Sequence, residues 1–245
     1  MVRETLSGMT AIVTGASAGV GRETAKALAA EGASVVLVAR RANRLEEIAE
    51  DIEERGGTAV PFSADVSEEE AVEDLIETTV DEFGSLEILV NNAGIGRGDS
   101  VQDLTTEEYR AMMAVNVDGF FFTTRAALPH LIESTGNLIY IGSFAGQYPR
   151  SFNPVYAASK WWARGFAKSM MAEAGDEDVA VSLVNPSEIR TEFGGQDGTP
   201  FKEQFDEGEV LEPEQVADAV VFAAKQESAT VSEMDLYRRD KFDIF

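Results

Sequence analysis

The chain has 245 residues, 44% of them apolar, and 44 acidic side chains against 20 basic ones give a formal net charge of −24. That length admits one α/β domain or two small ones with a sizeable core, and that charge weighs against nucleic acid or an anionic membrane as partner. With no Cys and a single His, His130, the chain has no material for disulfides or thiolate metal sites and little for imidazole ones, so no metal is expected.

No apolar run approaches the ~18 residues of a membrane span. The opening MVRETLSGMTAIVTG has neither the n-region nor the h-region of a signal peptide, so a cytoplasmic protein is expected. Of the basic residues only six are Lys and fourteen are Arg. An acidic surface with few Lys suits a salt-rich cytoplasm, where screening offsets self-repulsion, and on this ground a halophilic source is expected.

The first strand, AIVTG (11–15), runs into the glycine-rich TGASAGVG (14–21), and RETAKALAAEG continues as a helix. Gly15, Gly19 and Gly21 permit a tight turn and close approach of backbone to a diphosphate, while the helix N-terminus offers N–H groups to the anion. No Gly-Lys-Ser/Thr follows, so this is not a P-loop. The second strand, SVVLVAR (34–40), ends on Arg40, nineteen residues past Gly21. Folds that bind NAD place an acidic residue there for the ribose 2′-hydroxyl. Arg40 and Arg41, with Arg44 a turn later, suit instead the charged fork that arginine makes with a phosphate, so NADP(H) is expected over NAD(H).

The third strand, TAVPFSAD (58–65), ends on Asp65, and SEEE (67–70) after it fits the capping box of a helix start. The fourth, LEILVNN (86–92), leads to TTEE (105–108), a second capping box. The fifth, NLIYIGS (137–143), ends on Ser143, and VYAASK (155–160) then sets Tyr156 and Lys160 one helical turn apart. The sixth, VAVSLVNP (179–186), ends on Pro186, and Pro213 opens a last helix. The strands are apolar on both faces, as parallel strands under helices are. The alternation predicts one α/β domain over 1–245, a doubly wound Rossmann fold with right-handed crossovers. Its glycine-rich and polar features all fall at the carboxyl ends of strands, where such sheets bind ligands.

TGASAGVG, NNAG (91–94), Asn116 in NVDG, Ser143, YAASK and NPSEIRT (185–191) occur in this order across nearly the whole chain. Together they resemble the short, single-domain short-chain dehydrogenase/reductases. The resemblance implies a mostly parallel seven-stranded sheet and an enzyme that moves a hydride between nicotinamide and a secondary alcohol or carbonyl. It implies that Tyr156 exchanges a proton with the substrate oxygen, its pKa lowered by Lys160 and by the oxidised nicotinamide. Lys160 would also hydrogen-bond the nicotinamide ribose, Ser143 would donate to the reacting oxygen, and Asn116 would hold a water linking Lys160 to solvent. By the same resemblance, Ser17 and Val20 would join the glycines of the turn as cofactor contacts. Asp65 and Val66 would meet the adenine, Asn92, Ala93 and Gly94 the adenosine ribose, and Pro186, Ile189 and Thr191 the nicotinamide.

Three departures from the family pattern matter. Ala18 stands where NADP-preferring relatives often carry Lys or Arg, which leaves a 2′-phosphate to Arg40 and Arg41. Ser187 replaces the usual glycine after Asn-Pro and should stiffen that turn. The ending TVSEMDLYRRDKFDIF is not Gly-rich and is more similar to the subgroup acting on small 3-hydroxy acids and related alcohols.

Residues 193–210 are long enough for a lid over a small-molecule substrate, with Phe193, Phe201 and Phe205 either an apolar wall or core. Arg150 reads either as a holder of a substrate carboxylate or as an exposed loop residue. The helix YAASKWWARGFAKSMMAEA is apolar around most of its circumference, so a homodimer or homotetramer is expected. Two other classes stay open. A non-catalytic NADP-binding regulator would not need Ser143, Tyr156 and Lys160 together. An NAD(P)-using epimerase or dehydratase would usually carry a longer chain and another glycine spacing.

Overall fold

The computed structural model describes residues 2–96, 100–194 and 199–242. Seven strands form one sheet: Thr10–Thr14 (β1), Ser34–Ala39 (β2), Thr58–Ser63 (β3), Ile88–Asn91 (β4), Asn137–Ile141 (β5), Ala180–Pro186 (β6) and Glu233–Leu236 (β7). Their order is β3-β2-β1-β4-β5-β6-β7. Every neighbouring pair is parallel, so the sheet is wholly rather than mostly parallel. β1, β4 and β5 are buried at every residue, which is why they read as unbroken apolar runs.

Alternate residues of the strands feed two cores. On one face Val13, Val35 and Val90 pack with Leu28 of Gly19–Ala30 (α1), Ile48 of Ala42–Glu54 (α2) and Val220 of Pro213–Ala224 (α8). On the other, Ile12, Leu89 and Tyr140 meet Leu75 of Glu69–Phe83 (α3), Phe120 of Gly119–Ser134 (α5) and Ala167 of Pro154–Glu173 (α6). Two short helices complete the fold, Thr106–Met113 (α4) and Phe201–Gln204 (α7). Strand order reverses between β1 and β4, so the loops after these two strands part there and leave a crevice.

The helix-start signals divide. Thr105 and Glu108 form the expected capping box of α4. Ser67 does not cap α3, whose N-cap is Glu68; its hydroxyl donates instead to Asp65 Oδ1 at 2.7 Å, and its backbone N–H donates to the same oxygen at 3.0 Å. Asp and Ser compete for such local bonds, and here the Asp turn wins. Glu212 and Gln215 box the start of α8, as a Glu rather than a Ser or Thr. No described helix is long and apolar enough to cross a membrane.

Candidate active site

The crevice is a cleft of about 690 Å³ at the carboxyl ends of the strands. Its first wall is the turn from β1 into α1. Gly15 and Gly19 have φ of +68° and +53°, a region that side chains avoid. Thr14 ties this turn to the loop after β4. Its hydroxyl donates to Val90 O and accepts from the N–H groups of Asn92 and Ala93 at 2.9 and 3.0 Å. The Asn92 amide donates to Thr14 O at 2.8 Å. The N-cap of α1 is Ala18, which offers no side-chain acceptor, and no acidic residue lies in the first turn. The turn therefore offers N–H groups to an anion with no competing carboxylate.

At the end of β2, Arg41 donates from Nε and Nη2 to Ser17 Oγ at 3.2 and 2.9 Å, which fastens the arginine to the glycine turn. Arg40 reaches Asp65 at 3.5 Å. Burial raises the Asp65 carboxyl, but the two Ser67 bonds and Arg40 outweigh it and hold the group below its ordinary value. Arg44 turns across the cleft to Glu192, with Nη1 at 3.0 and 3.2 Å from its two oxygens.

The second wall carries Ser143, Tyr156 and Lys160. Ser143 follows β5 and caps a short turn through Ala145 N at 3.1 Å. It is hydrogen-bonded to Tyr156, whose phenol burial pushes up while Ser143 and Arg150 pull it down, leaving it above its ordinary value. Lys160 is buried one turn on, 6.0 Å from the centre of the Tyr156 ring, and Nζ donates to Ile141 O at 2.9 Å. Among the chain's own groups, burial outweighs the downward pull on the phenol. Burial governs Tyr156, and the lysine is turned to a strand carbonyl.

Asn116 sits in a π-helical segment, Ala114–Asp118, between α4 and α5. Such bulges turn a side chain off the regular helical row. Its Oδ1 accepts from Ile95 N at 2.9 Å, and Nδ2 donates to Ile95 O at 2.9 Å and Ser159 Oγ at 3.0 Å. Ser159 in turn donates to Tyr156 O at 2.7 Å. Asn116 thus clamps the loop after β4 onto the helix that carries Tyr156. A Cβ on Gly94 would stand 3.5 Å from Asn116 Oδ1 and 3.6 Å from Lys160 Nζ, so these groups converge at one spot.

The third wall follows β6. Pro186, Ile189 and Thr191 line the cleft, and Thr191 Oγ1 accepts from Phe193 N at 3.1 Å. Phe193 packs on Tyr156 at 5.7 Å, and Phe201 and Phe205 continue the apolar wall. Of the expected lid, 195–198 lie outside the described residues, as do 243–245 of the ending. The remainder of the lid contains α7 rather than open loop throughout. Ser187 Oγ accepts from Arg238 N at 3.1 Å, so the replacement of glycine anchors the C-terminal segment. Arg150 is not an exposed loop residue: it is half-buried between the rings of Phe144 and Phe152 and faces Glu188 at 3.5 Å. Lys241 completes this pair with Nζ 2.5 Å from Glu188.

Every residue expected to touch cofactor lines this cleft: Gly15, Ser17, Gly19, Val20, Gly21, Arg40, Arg41, Asp65, Val66, Asn92, Ala93, Gly94, Tyr156, Lys160, Pro186, Ile189 and Thr191. Ser143 lines it too, and Asn116 acts from behind. Residues 9–199 match the family model for short chain dehydrogenase. The chain belongs to the short-chain dehydrogenase family. It is an oxidoreductase acting on CH–OH groups. An uncharacterized oxidoreductase of Staphylococcus epidermidis is 36% identical over 219 residues, 89% of this chain and 91% of that one. The fold matches an alcohol dehydrogenase of the archaeon Thermococcus sibiricus, complexed with 5-hydroxy-NADP, at a TM-score of 0.86 and 29% identity, covering 94% of this chain and 96% of that one. It matches the 3-ketoacyl-(acyl-carrier-protein) reductase of Brucella melitensis, complexed with NADH, at 0.86 and 29%, covering 95% and 98%.

In this dehydrogenase the buried Lys160 gives a measurable signature. Desolvation lowers its pKa from 10.5 to about 8. Between these values the unfolded chain holds the proton and the folded chain does not, so the lysine adds stability as pH rises from 8 to 10.5. The gain is about 3 kcal/mol, at roughly 1.4 kcal/mol per pH unit. Lys160→Met lacks the gain, so wild type rises relative to the variant across that window. Urea unfolding of both proteins below pH 8 and near pH 10.5 checks this. Parallel curves would refute the depressed lysine.

Proposed function

We propose that this dehydrogenase uses NADP(H) and interconverts a small secondary alcohol, possessing an apolar flank, with its carbonyl. The observation that carries the reading is the meeting of Ser143, Tyr156 and Lys160 in the same cleft as the glycine turn and Arg41. The residues present fit a dinucleotide. A Cβ on Gly21 would fall 2.4 Å from Gly15 O, so the turn is drawn as tightly as a diphosphate cradle requires. Arg41, already braced on Ser17, and Arg40 beside it supply a fork for a 2′-phosphate.

Bound there, NADP(H) supplies or accepts the hydride. In reduction the Tyr156 hydroxyl donates its proton to the carbonyl oxygen, while Ser143 donates a hydrogen bond that stabilises the charge growing on that oxygen. In oxidation the phenolate takes the hydroxyl proton back. Lys160 places an ammonium beside the ring, and Asn116 fixes the loop that borders it. Residues 193–210 act as the substrate loop, and Phe193, Phe201 and Phe205 favour a substrate with an apolar side over a purely charged one.

Arg41→Ala tests the cofactor reading. An arginine–phosphate contact contributes about 1.5–3 kcal/mol, so KM for NADPH should rise about 10- to 100-fold. KM for NADH should change by less than about threefold. The readout is nicotinamide absorbance over a panel of secondary alcohols and ketones. Equal losses with both cofactors, or an NADH preference in wild type, would overturn NADP(H).

A further inference from the structure

One carboxylate lies where the cationic end of the cofactor cleft needs explaining. Glu192 is on the segment after β6, between Thr191 and Phe193, whereas Arg41 and Arg44 belong to the start of α2. Its Oε2 stands 3.6 Å from Arg41 Nη1 and 3.0 Å from Arg44 Nη1. Lys202 of α7 comes within 3.6 Å of Oε1. Arg41 and Glu192 both line the cleft, so the contact spans it from the β2 side to the β6 side. Three cations therefore face a single carboxylate in a chain whose net charge is −24. Burial raises the Glu192 carboxyl, but Arg44, Lys202 and Arg41 prevail and keep it low, so it is an anion at neutral pH.

We infer that Glu192 is a built-in competitor for the cofactor's 2′-phosphate, a specificity-determining residue that occupies the arginine fork and lowers affinity for the phosphorylated dinucleotide selectively. This rests on the NADP(H) reading above. The physical case is one of interchangeable anions. A carboxylate and a phosphate address the same planar fork, and the phosphate carries more charge and more acceptor oxygens. The Glu192 pairs are weak enough to yield, because all four side chains are 41–46% exposed. Arg41 keeps its second hold on Ser17, so it stays at the turn when the carboxylate leaves. A cofactor with a free 2′-hydroxyl brings no anion to the fork and does not compete.

The test is calorimetric binding of 2′,5′-ADP and of 5′-AMP, which differ only by the 2′-phosphate, to wild type, Glu192→Gln and a control, Glu203→Gln, which makes the same charge change on α7. Wild type should bind 2′,5′-ADP more tightly than 5′-AMP. Glu192→Gln should tighten 2′,5′-ADP a further two- to tenfold or so at low salt and leave 5′-AMP within about 1.5-fold. In molar KCl the difference should fade, since exposed pairs are screened. The control should match wild type. Three results would overturn the inference alone: unchanged or weaker 2′,5′-ADP binding in Glu192→Gln, equal tightening of both nucleotides, or an equal effect in Glu203→Gln. A wild type with no preference for 2′,5′-ADP overturns the NADP(H) reading along with it.

Discussion

Tyr156→Phe should lower kcat in both directions by about 10²–10⁴-fold, the range expected when a positioned proton donor is removed. The substitution deletes one oxygen and keeps the ring that packs against Phe193 at 5.7 Å, so the cleft keeps its shape. Ser143 and Lys160 remain, and on the proposed roles neither replaces the lost donor: Ser143 would stabilise charge, and Lys160 Nζ is committed to Ile141 O at 2.9 Å. Cofactor affinity should therefore change little while turnover collapses, a split between kcat and binding that a folding defect would not give.

The pH dependence follows from the same oxygen. Burial holds the phenol above its ordinary value, against the downward pull of Ser143 and Arg150. At neutral pH the chain's own groups thus favour the protonated form, the donor of the proposed reduction. Oxidation needs the phenolate, so its kcat should climb with pH, and in Tyr156→Phe that climb should vanish. Steady-state kinetics in both directions from neutral to alkaline pH read both effects. A variant that retains kcat within tenfold or so of wild type would remove Tyr156 from the chemistry.

The fold was legible because its signals are local. Parallel strands buried on both faces must be apolar throughout, and β1, β4 and β5 are. The cleft was legible because a doubly wound sheet puts the strand ends together, whatever fills the intervening helices. Partner choice was not. Ser67 fitted a helix cap by spacing, yet Asp65 two residues earlier takes its hydroxyl. Thr14 ends β1, and its hydroxyl joins that strand to the loop after β4. A hydroxyl directly before the first glycine was the available signal.

Contacts made across the sheet leave no trace in spacing. Glu192 meets Arg44 from 148 positions away, and Lys241 meets Glu188 from 53. The latter matters for the C-terminal segment. Lys241 is buried, lies 4.3 Å from the centre of the Phe144 ring and pairs with the same carboxylate as Arg150. The segment after β7 therefore braces the turn after β6 through Arg238 on Ser187 and Lys241 on Glu188. In the sequence those residues show only as a charged ending without glycines.

Gly21→Ala should be a severely damaging single-methyl change. The added Cβ would stand 2.4 Å from Gly15 O, 2.5 Å from Asn92 Nδ2 and 2.8 Å from Gly15 C. Two of these atoms are backbone, and the third is held by its bond to Thr14 O at 2.8 Å. None can rotate away, so relief requires the turn to open. Opening it loosens the Thr14 bonds that join β1 to the loop after β4. Overpacking of this kind costs about 1–3 kcal/mol, and here the cost falls on the diphosphate cradle. Chemical denaturation should show that loss, and calorimetry with 5′-ADP should show binding weakened by more than about tenfold. Gly8→Ala is the contrasting control. Its φ of +81° makes the residue strained, but nothing lies within 4 Å of the new methyl, so stability alone should fall. If Gly21→Ala bound 5′-ADP as wild type does, the turn would not be the diphosphate site, whatever its stability.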